Sequence, residues 1–438
     1  MAGHSYAVTD GTTTFSLTST NSMVVSPGYT PAATSGDGTV TETFPLWLYG
    51  ASVSALQTAI AALQQLLNTA KLRNLGVGPP LFLTVQLSGD ASAWRSRILD
   101  ARLDLGQTSL QGIGQAAMEA ALYIERVPYF EGAEVELNLS ANGQAAATGG
   151  RTIYNDPANG NWVQIAASEL AGNLPAPIRL QLTNTIGSAQ NYLRVLMSVN
   201  AYSDPANLVH YLQGEARLSG GTPTADGTCS GGSKLAFTAV GSPVFAWTLP
   251  AADMQRTKGA RARLLARFAY SVGDLYCQPQ IRDAAGSSVL WKGDELNIGP
   301  AGGAGTGGFY QDLGVIPLPP GGYGASWDVC TLALVFRGTA VVELDVLQLS
   351  MLDSFRNLDI AATSVANNAA IVHDGIAEIT YVLSSGAWTP LATAFGGPLM
   401  LWPNMLQRIH IVHNLSASAP ITNTWSVRAY HRPRRSTV

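Results

Sequence analysis

The chain has 438 residues, more than one hydrophobic core usually serves, so we expect two or three domains. Only 12% of the residues are charged and the formal net charge is −4, which argues against a nucleic-acid binder. With 45 Gly and 23 Pro, the composition is typical of short strands joined by turns. The low charge content indicates either a surface covered by other subunits or an uncharged soluble surface.

Residues 1–140 predict an α+β domain, a split-barrel-like sheet with one long helix. It opens with a hairpin around the turn residues Asp10 and Gly11. Residues 42–50 and 81–89 alternate apolar with polar residues and flank the helix. The later run ALYIERV can be read as a helix or a strand, and we favour a strand because it alternates.

The helix is the longest helical period in the chain. Ser52 is placed to cap its N-terminus, Gly76 to end it, and Pro79 and Pro80 prevent its continuation. Its apolar positions recur at steps of three and four and are Val53, Leu56, Ile60, Leu63, Leu67 and Ala70. The opposite face carries no charge before Lys71, and its central residues are Gln57, Ala61, Gln65 and Asn68. Isolated surface helices usually carry Glu and Lys on such a face.

Residues 150–355 predict a jelly-roll β-sandwich, because strand-like runs follow one another without interleaved helices. Residues 356–438 contain four or five further predicted strands, which are few for a separate hydrophobic core. We expect them either to form a small C-terminal β region or to pack back on an earlier domain. The fold class is therefore mainly β.

The sequence contains no signal-peptide pattern and no apolar run of roughly 18 residues, so we expect no membrane insertion. Its three cysteines lie far apart without CxxC spacing, which favours buried free thiols over a disulfide framework or a zinc site. We expect no metal and no cofactor.

No catalytic residues are predicted. His410 and His413 would lie on opposite faces of a strand and so would not form a metal pair. Glu343 and Asp345 share a strand face, but a solvated face or a hydrogen bond to a neighbouring strand explains them better than a glycosidase pair. The common hydrolase motifs GxSxG and HExxH do not occur.

Two groups of side chains are candidates for binding. Trp247, Trp291 and Trp327 in the predicted jelly roll can either stack on sugar rings or fill the core. Arg432, Arg434 and Arg435 near the C-terminus form either a solvated basic tail or a contact with an acidic partner.

The order of these parts resembles the siphophage distal tail and minor tail protein family. The first domain carries the resemblance in YAVTDGTTTFSL and LYIERVPYFEG. Its continuation is similar to galectin-like or carbohydrate-module-like jelly rolls in GNLPAPIRLQLTN, RARLLARF, DLGVIPLPPGG and VELDVLQLSMLDSFR. The closing AYHRPRR also looks like the end of such proteins, and the resemblance covers most of the chain.

The resemblance implies a non-enzymatic virion protein of the phage tail, made in the host cytoplasm. It implies a homo-oligomeric ring, a hexamer in this family, which joins the tail tube protein to tail-tip or baseplate proteins. DNA would only pass through the channel, and a neighbouring copy would cover the uncharged helix face. The alternatives are a glycan-binding adhesion module and, more weakly, a glycoside hydrolase.

Overall fold

The computed structural model describes residues 4–18, 22–24, 38–74, 76–110, 116–202, 211–249, 261–298, 308–318, 330–351, 354–391, 393–416 and 418–436. It is mainly β, as predicted, and divides into two compact units. The first unit consists of Met1–Val135, Ala171–Pro175 and Arg432–Val438. The second consists of Glu136–Leu170 and Ala176–His431.

The first unit is an antiparallel sheet with a long helix. Its elements before residue 135 are β1 (Ser5–Thr9), β2 (Thr14–Ser16), β3 (Ser22–Val24), β4 (Val40–Gly50), α1 (Val53–Asn74), β5 (Leu81–Gln86), β6 (Trp94–Leu110), β7 (Ala116–Arg126) and β8 (Phe130–Glu131). The strand order is β2-β1-β5-β6-β7-β4-β3, and β8 pairs with β6. The predicted opening hairpin is confirmed by the pairing of β1 with β2. The run ALYIERV lies in strand β7 up to Arg126, as favoured.

Local chemistry fixes both ends of α1. The Ser52 hydroxyl accepts a hydrogen bond from the Ala55 amide at 3.1 Å, which caps the first turn. Gly76 adopts φ +81°, and its amide donates to the Arg73 carbonyl at 2.9 Å. Gly50 joins β4 to the helix at a close approach, since a Cβ there would lie 2.4 Å from the Leu56 nitrogen.

One face of α1 covers the sheet. The buried helix residues are Leu56, Ile60, Leu63, Leu66, Leu67 and Ala70. They share one core with alternate residues of β4 and β5, including Phe44, Leu46 and Leu83. Two details differ from the prediction: Val53 in the first turn is exposed, and Leu66 joins the buried face. Moreover, β4 and β5 are not neighbours in the sheet, because β7 and β6 lie between them.

The second unit is built from many shorter strands. Before residue 203 they are β9 (Val135–Glu136, which begins in the first unit), β10 (Leu139–Ala141), β11 (Gln144–Ala147), β12 (Arg151–Tyr154), β13 (Trp162–Ile165), β14 (Ala176–Asn184) and β15 (Gln190–Tyr202). Those between 211 and 351 are β16 (Tyr211–Gln213), β17 (Thr222–Ala225), β18 (Ser233–Thr238), β19 (Val244–Leu249), β20 (Arg261–Val272), β21 (Leu275–Arg282), β22 (Val289–Lys292), β23 (Leu296–Asn297), β24 (Phe309–Pro317), β25 (Cys330–Gly338) and β26 (Val341–Met351). Within the described residues, short 3₁₀ turns accompany them at Ala167–Glu169, Gly214–Ala216 and Ser230–Gly232.

The remaining strands run to the C-terminus. They are β27 (Phe355–Val365), β28 (Ala370–Asp374), β29 (Ile379–Ser384), β30 (Ala387–Pro390), β31 (Thr393–Gly396), β32 (Met400–Leu401), β33 (Leu406–Leu415), β34 (Thr424–His431) and β35 (Arg434–Arg435). The last of them, β35, belongs to the first unit and pairs with β8 there.

The second unit contains two sandwiches. In the outer sandwich, which we define by β10–β15 and β27–β34, one sheet has the order β11-β10-β13-β33-β15-β27-β31 and the other β12-β34-β14-β28-β29-β30. In the inserted sandwich, β16–β26, the sheets are β17-β18-β26-β20-β24 and β19-β25-β21-β22. Each sandwich has its own apolar core.

This arrangement corrects the predicted division at residues 150, 355 and 356. Residues 356–431 do not form a separate region but complete the outer sandwich, which is the packing-back alternative. Strand β14, for example, pairs with β34 on one side and β28 on the other. The inserted sandwich is formed by strands within residues 211–351, and residues 140–152, where the first two predicted domains meet, contain β11 and the start of β12. The alternation of apolar and polar residues within one strand does not show which distant strand it pairs with.

The two sandwiches meet through the outer faces of two sheets. Leu196 and Val412 of the outer sandwich form a small apolar cluster with Leu265 and Val346 of the inserted one. Because the middle parts of β15 and β20 are covered on both faces, the consecutive residues 195–199 and 264–268 are all buried there instead of alternating between buried and exposed.

We expect the buried ion pair between Arg126 and Glu42 to be the first unit's most mutation-sensitive polar contact. Both side chains are almost fully buried, and the Arg126 guanidinium also lies 4.2 Å from the Phe130 ring centre. Substitution Arg126→Met should lower the free energy of unfolding by roughly 3–5 kcal/mol, because the Glu42 carboxylate loses its cation. The double variant Glu42→Gln/Arg126→Met should lose less. Urea unfolding measures the free energy of unfolding of both variants. Equal decreases in the two variants would show that the lost packing of Arg126 on Phe130, not the unpaired carboxylate, causes the destabilisation.

Candidate functional site

The exposed face of α1 is uncharged over most of its length. Gln57, Ala61, Gln65 and Asn68 are all exposed, as the helical period predicted. The first charged residues on the helix are Lys71 and Arg73 in its last turn. The helix therefore presents small and amide side chains to its surroundings, a surface with a low desolvation cost.

The three candidate tryptophans have different environments. Trp247 is 1% exposed in the core of the inserted sandwich, and its indole N–H donates to the Gln213 carbonyl at 2.9 Å. It therefore has no free ring face for a sugar, which corrects its assignment to a glycan platform. Trp327 lies outside the described residues. Trp291 on β22 is half-buried and borders an open cleft.

The Trp291 cleft has a volume of about 320 Å³. It is lined by Pro279, Trp291, Lys292, Gly293, Asp294, Leu296, Leu313, Gly314 and Val315. The Trp291 ring lies so close to Gly293 that a Cβ on that residue would be 2.7 Å from it. Gly293 is itself held by its amide, which donates to the Pro279 carbonyl at 2.9 Å. The half-buried ring packs against the core of the inserted sandwich and lies beside the exposed polar residues Lys292 and Asp294.

The arginines of the C-terminal tail contact the first unit. Arg434 pairs with Glu131 at 2.7 Å and lies over the Tyr129 ring. Arg435 lies over the Trp94 ring at 4.1 Å. Arg432 is 3.6 Å from a Glu134 carboxylate oxygen. The tail is therefore a structural strand of the first unit rather than a solvated basic terminus, and a contact with another subunit stays a prediction.

The carboxylates of β26 are each engaged by a cation. Lys234 lies 2.7 Å from both Glu343 and Asp226. Asp345 is buried with the Arg267 guanidinium, and it also accepts from the Ser230 amide at 2.9 Å. Burial raises the pKa of the Asp345 carboxyl, while Arg267 acts in the opposite direction. The two carboxylates therefore do not face each other across a cleft as a glycosidase pair would.

Arg267 also links the two sandwiches. Its Nε and Nη2 atoms donate to the Ala419 carbonyl of the outer sandwich at 3.1 and 2.9 Å. Nearby, the Asn161 amide donates to Gln348 at 2.7 Å, and Asn414 exchanges two hydrogen bonds with the Tyr310 backbone. We interpret this buried polar network as a structural contact that holds the two sandwiches together, not as a reaction site.

His410 and His413 are both buried in β33 and lie on opposite faces, as predicted. His413 is enclosed by the Tyr192 and Trp425 rings. The Trp425 indole N–H donates to His413 Nδ1 at 2.7 Å, so this nitrogen must be unprotonated. Within the described residues, no cluster of three or more His, Cys, Asp or Glu side chains is arranged to hold a metal ion. The three cysteines are free and buried, as expected.

Sequence reasoning missed a group of exposed aromatic residues on the outer sandwich. Trp388 on β30 is 63% exposed, and Phe395 and Trp402 are also exposed. The signal was present: residues 379–407 contain no charged side chain. No helix among the described residues is both long and apolar enough to cross a membrane.

No protein-family model matches this chain, and no curated protein matches it. A solved structure of the phage P2 baseplate in its activated conformation with Ca is 9% identical over 100% of both chains, with a TM-score of 0.27. The C-terminal CBM6 of LamC, a laminarinase from Zobellia galactanivorans, is 14% identical over 32% of this chain and 97% of its own, with a TM-score of 0.23. An exo-β-1,3-galactanase from Phanerochaete chrysosporium is 11% identical over 62% of this chain and 54% of its own, with a TM-score of 0.22. These scores are too low to assign a fold or a function.

Acid should destabilise the outer sandwich through His413. Burial lowers the pKa of His413 to about 3 from its ordinary value of 6.5. Between these two pH values the unfolded chain binds a proton at His413 that the folded chain does not bind. The free energy of unfolding is therefore fully retained above pH 6.5 and decreases progressively as the pH falls towards 3. Between pH 6.5 and 3, His413 lowers the free energy of unfolding by about 1.4 kcal/mol per pH unit.

The substitution His413→Asn tests this expectation, because its side-chain oxygen can still accept from Trp425 but does not titrate. The variant's melting temperature should depend less on pH between 4 and 6.5 than that of the parent. The exposed His4→Asn variant is the control. Parallel profiles for the parent and His413→Asn would refute the assignment.

Proposed function

We propose that this chain is a structural protein of a phage tail, which assembles with copies of itself into a ring between the tail tube and the tail tip or baseplate. The exposed, uncharged face of α1 is the observation that carries the proposal. A helix that faces only water gains from charged residues, whereas a face covered by another protein pays a desolvation cost for them. The face centred on Ala61 and Gln65 suits the second case.

The rest of the chain is consistent with assembly. Charged residues make up 12% of the sequence, about half the usual share, as expected where permanent interfaces cover the surface. The small net charge of −4 suits a ring whose channel passes DNA without holding it. We propose a non-enzymatic role, because the carboxylates of β26 are occupied by Lys234 and Arg267.

The double substitution Ala61→Glu/Gln65→Glu tests the ring. It places two charges on the exposed helix face, at a cost to the isolated helix of about 0.5 kcal/mol or less. We expect the variant to keep its circular dichroism spectrum and melting temperature but to sediment as a monomer, whereas the parent forms rings visible by negative stain.

The matched control is Ala91→Glu/Ser92→Glu, at exposed residues of the turn before β6. It should assemble like the parent. Rings that survive the helix substitutions would exclude this face as the interface, and a parent protein that stays monomeric at high concentration would refute the ring itself.

A second proposal is that the Trp291 cleft binds a host-surface glycan. A fixed aromatic ring offers its face to the apolar C–H groups of a sugar, and the adjacent Lys292 and Asp294 can hydrogen-bond its hydroxyl groups. One cation and one anion at the rim favour an uncharged sugar over an acidic one.

Binding to immobilised neutral polysaccharides from host cells should fall at least about 10-fold in Trp291→Ala, roughly 1.4 kcal/mol. Gly293→Val should have the same effect, because its side chain displaces the ring. The control is Trp388→Ala, which removes an exposed tryptophan outside the cleft. Equal binding by the parent and both cleft variants would refute the glycan site.

A further inference from the structure

A groove crosses the face of the first unit's sheet that points away from α1. Residues Phe44, Leu46 and Leu48 of β4 pack under the helix, so the alternate residues Pro45 and Trp47 point to the other side. The groove there has a volume of about 480 Å³. It is lined by Pro45, Leu46, Trp47, Asp104, Leu105, Gly106, Glu119, Ala120 and Ala121.

A β-bulge in β6 shapes one wall of this groove. The pairing of β6 with β7 shifts register between Leu105 and Thr108. Gly106 in the bulge lies against β7 so closely that a Cβ would be 2.8 Å from the Glu119 carbonyl oxygen. Leu105 is left 44% exposed beside the groove. On the opposite wall, the Trp47 ring is supported by the stacked Tyr49 ring, 6.4 Å away.

The chemistry of the groove suits a cationic side chain with an apolar stem. Ala121 and Pro45 leave room at its floor, while Trp47 provides an apolar wall. Asp104 and Glu119 place two carboxylates at its rim, and both residues are exposed. Asp104 is 3.6 Å from Arg102, a pair that is largely in water and therefore weak. A lysine or arginine can lay its methylenes along such walls and its charge against such carboxylates.

The last turn of α1 carries side chains of this kind. Lys71, Leu72 and Arg73 are all exposed, and they follow an uncharged helix face. The helix and the groove lie on opposite sides of one sheet, so a chain cannot bring its own helix end to its own groove. Two different, complementary patches on opposite sides of a subunit are what a head-to-tail contact needs, and such contacts form a ring when the rotation from one copy to the next closes.

We propose that the groove receives the last turn of α1 from a second copy of this chain, with Lys71 and Arg73 facing Asp104 and Glu119. The inference rests on the proposed ring and names its second surface. The uncharged helix face would lie along the sheet, and the charged end would set the direction of the contact.

Charge reversal on each side tests this contact. The helix variant is Lys71→Glu/Arg73→Glu, and the groove variant is Asp104→Lys/Glu119→Lys. Each alone places like charges together, so we expect ring formation measured by sedimentation to weaken at least about 10-fold in both. An equimolar mixture restores opposite charges at every contact, and we expect it to regain rings of alternating variants.

The control exchanges the charges of an exposed ion pair on the inserted sandwich, Arg337→Glu/Glu295→Arg, and should leave assembly unchanged. If the groove variant melts early, Glu119→Lys alone, mixed with the helix variant, gives the same comparison. Rings that form in both separate variants, or that stay lost in the mixture, would overturn the groove contact while the ring proposal stands. A parent protein that forms no ring would overturn both.

Discussion

The first unit depends on the burial of one face of its sheet by α1. A sheet with one apolar face must be covered, and the leucines of the helix supply the cover in a unit whose other described elements are strands. Because a single helix does this, its other side remains at the surface, and the composition of that side becomes informative. The lack of charge from Val53 to Ala70 is not required for packing the monomer, and the proposed assembly rests on it.

The second unit depends on pairing between distant parts of the chain. Strand β14 begins at Ala176 and lies between β28 and β34, which begin at Ala370 and Thr424, so the outer sandwich forms only once its C-terminal half is present. The inserted sandwich interrupts it and is then fastened to it by Arg267 and its carbonyl partner on Ala419. Buried charges of this kind are costly unless paired, which explains why Asp345 and Arg267 occur together.

The polar groups that first suggest chemistry mostly serve structure. His413 accepts a hydrogen bond from Trp425, and Glu343 lies against Lys234. The tail arginines lie on tyrosine and tryptophan rings of the first unit. Among the described residues, the surfaces available for binding include the helix face, the groove opposite it and the Trp291 cleft. The proposed roles in assembly and recognition rest on these surfaces.

The sequence by itself determined the class of fold, the long helix with both of its ends, and the opening hairpin. These features follow from local rules of periodicity, capping and turn residues. Only the tertiary structure decided that residues 356–431 complete an earlier sandwich, that Trp247 is core while Trp291 borders a cleft, and that the tail is a strand. An alternating strand looks the same whichever partner it pairs with, and a tryptophan is equally apolar inside or outside. Partner choice and exposure depend on contacts between residues far apart in the chain, which no local pattern records.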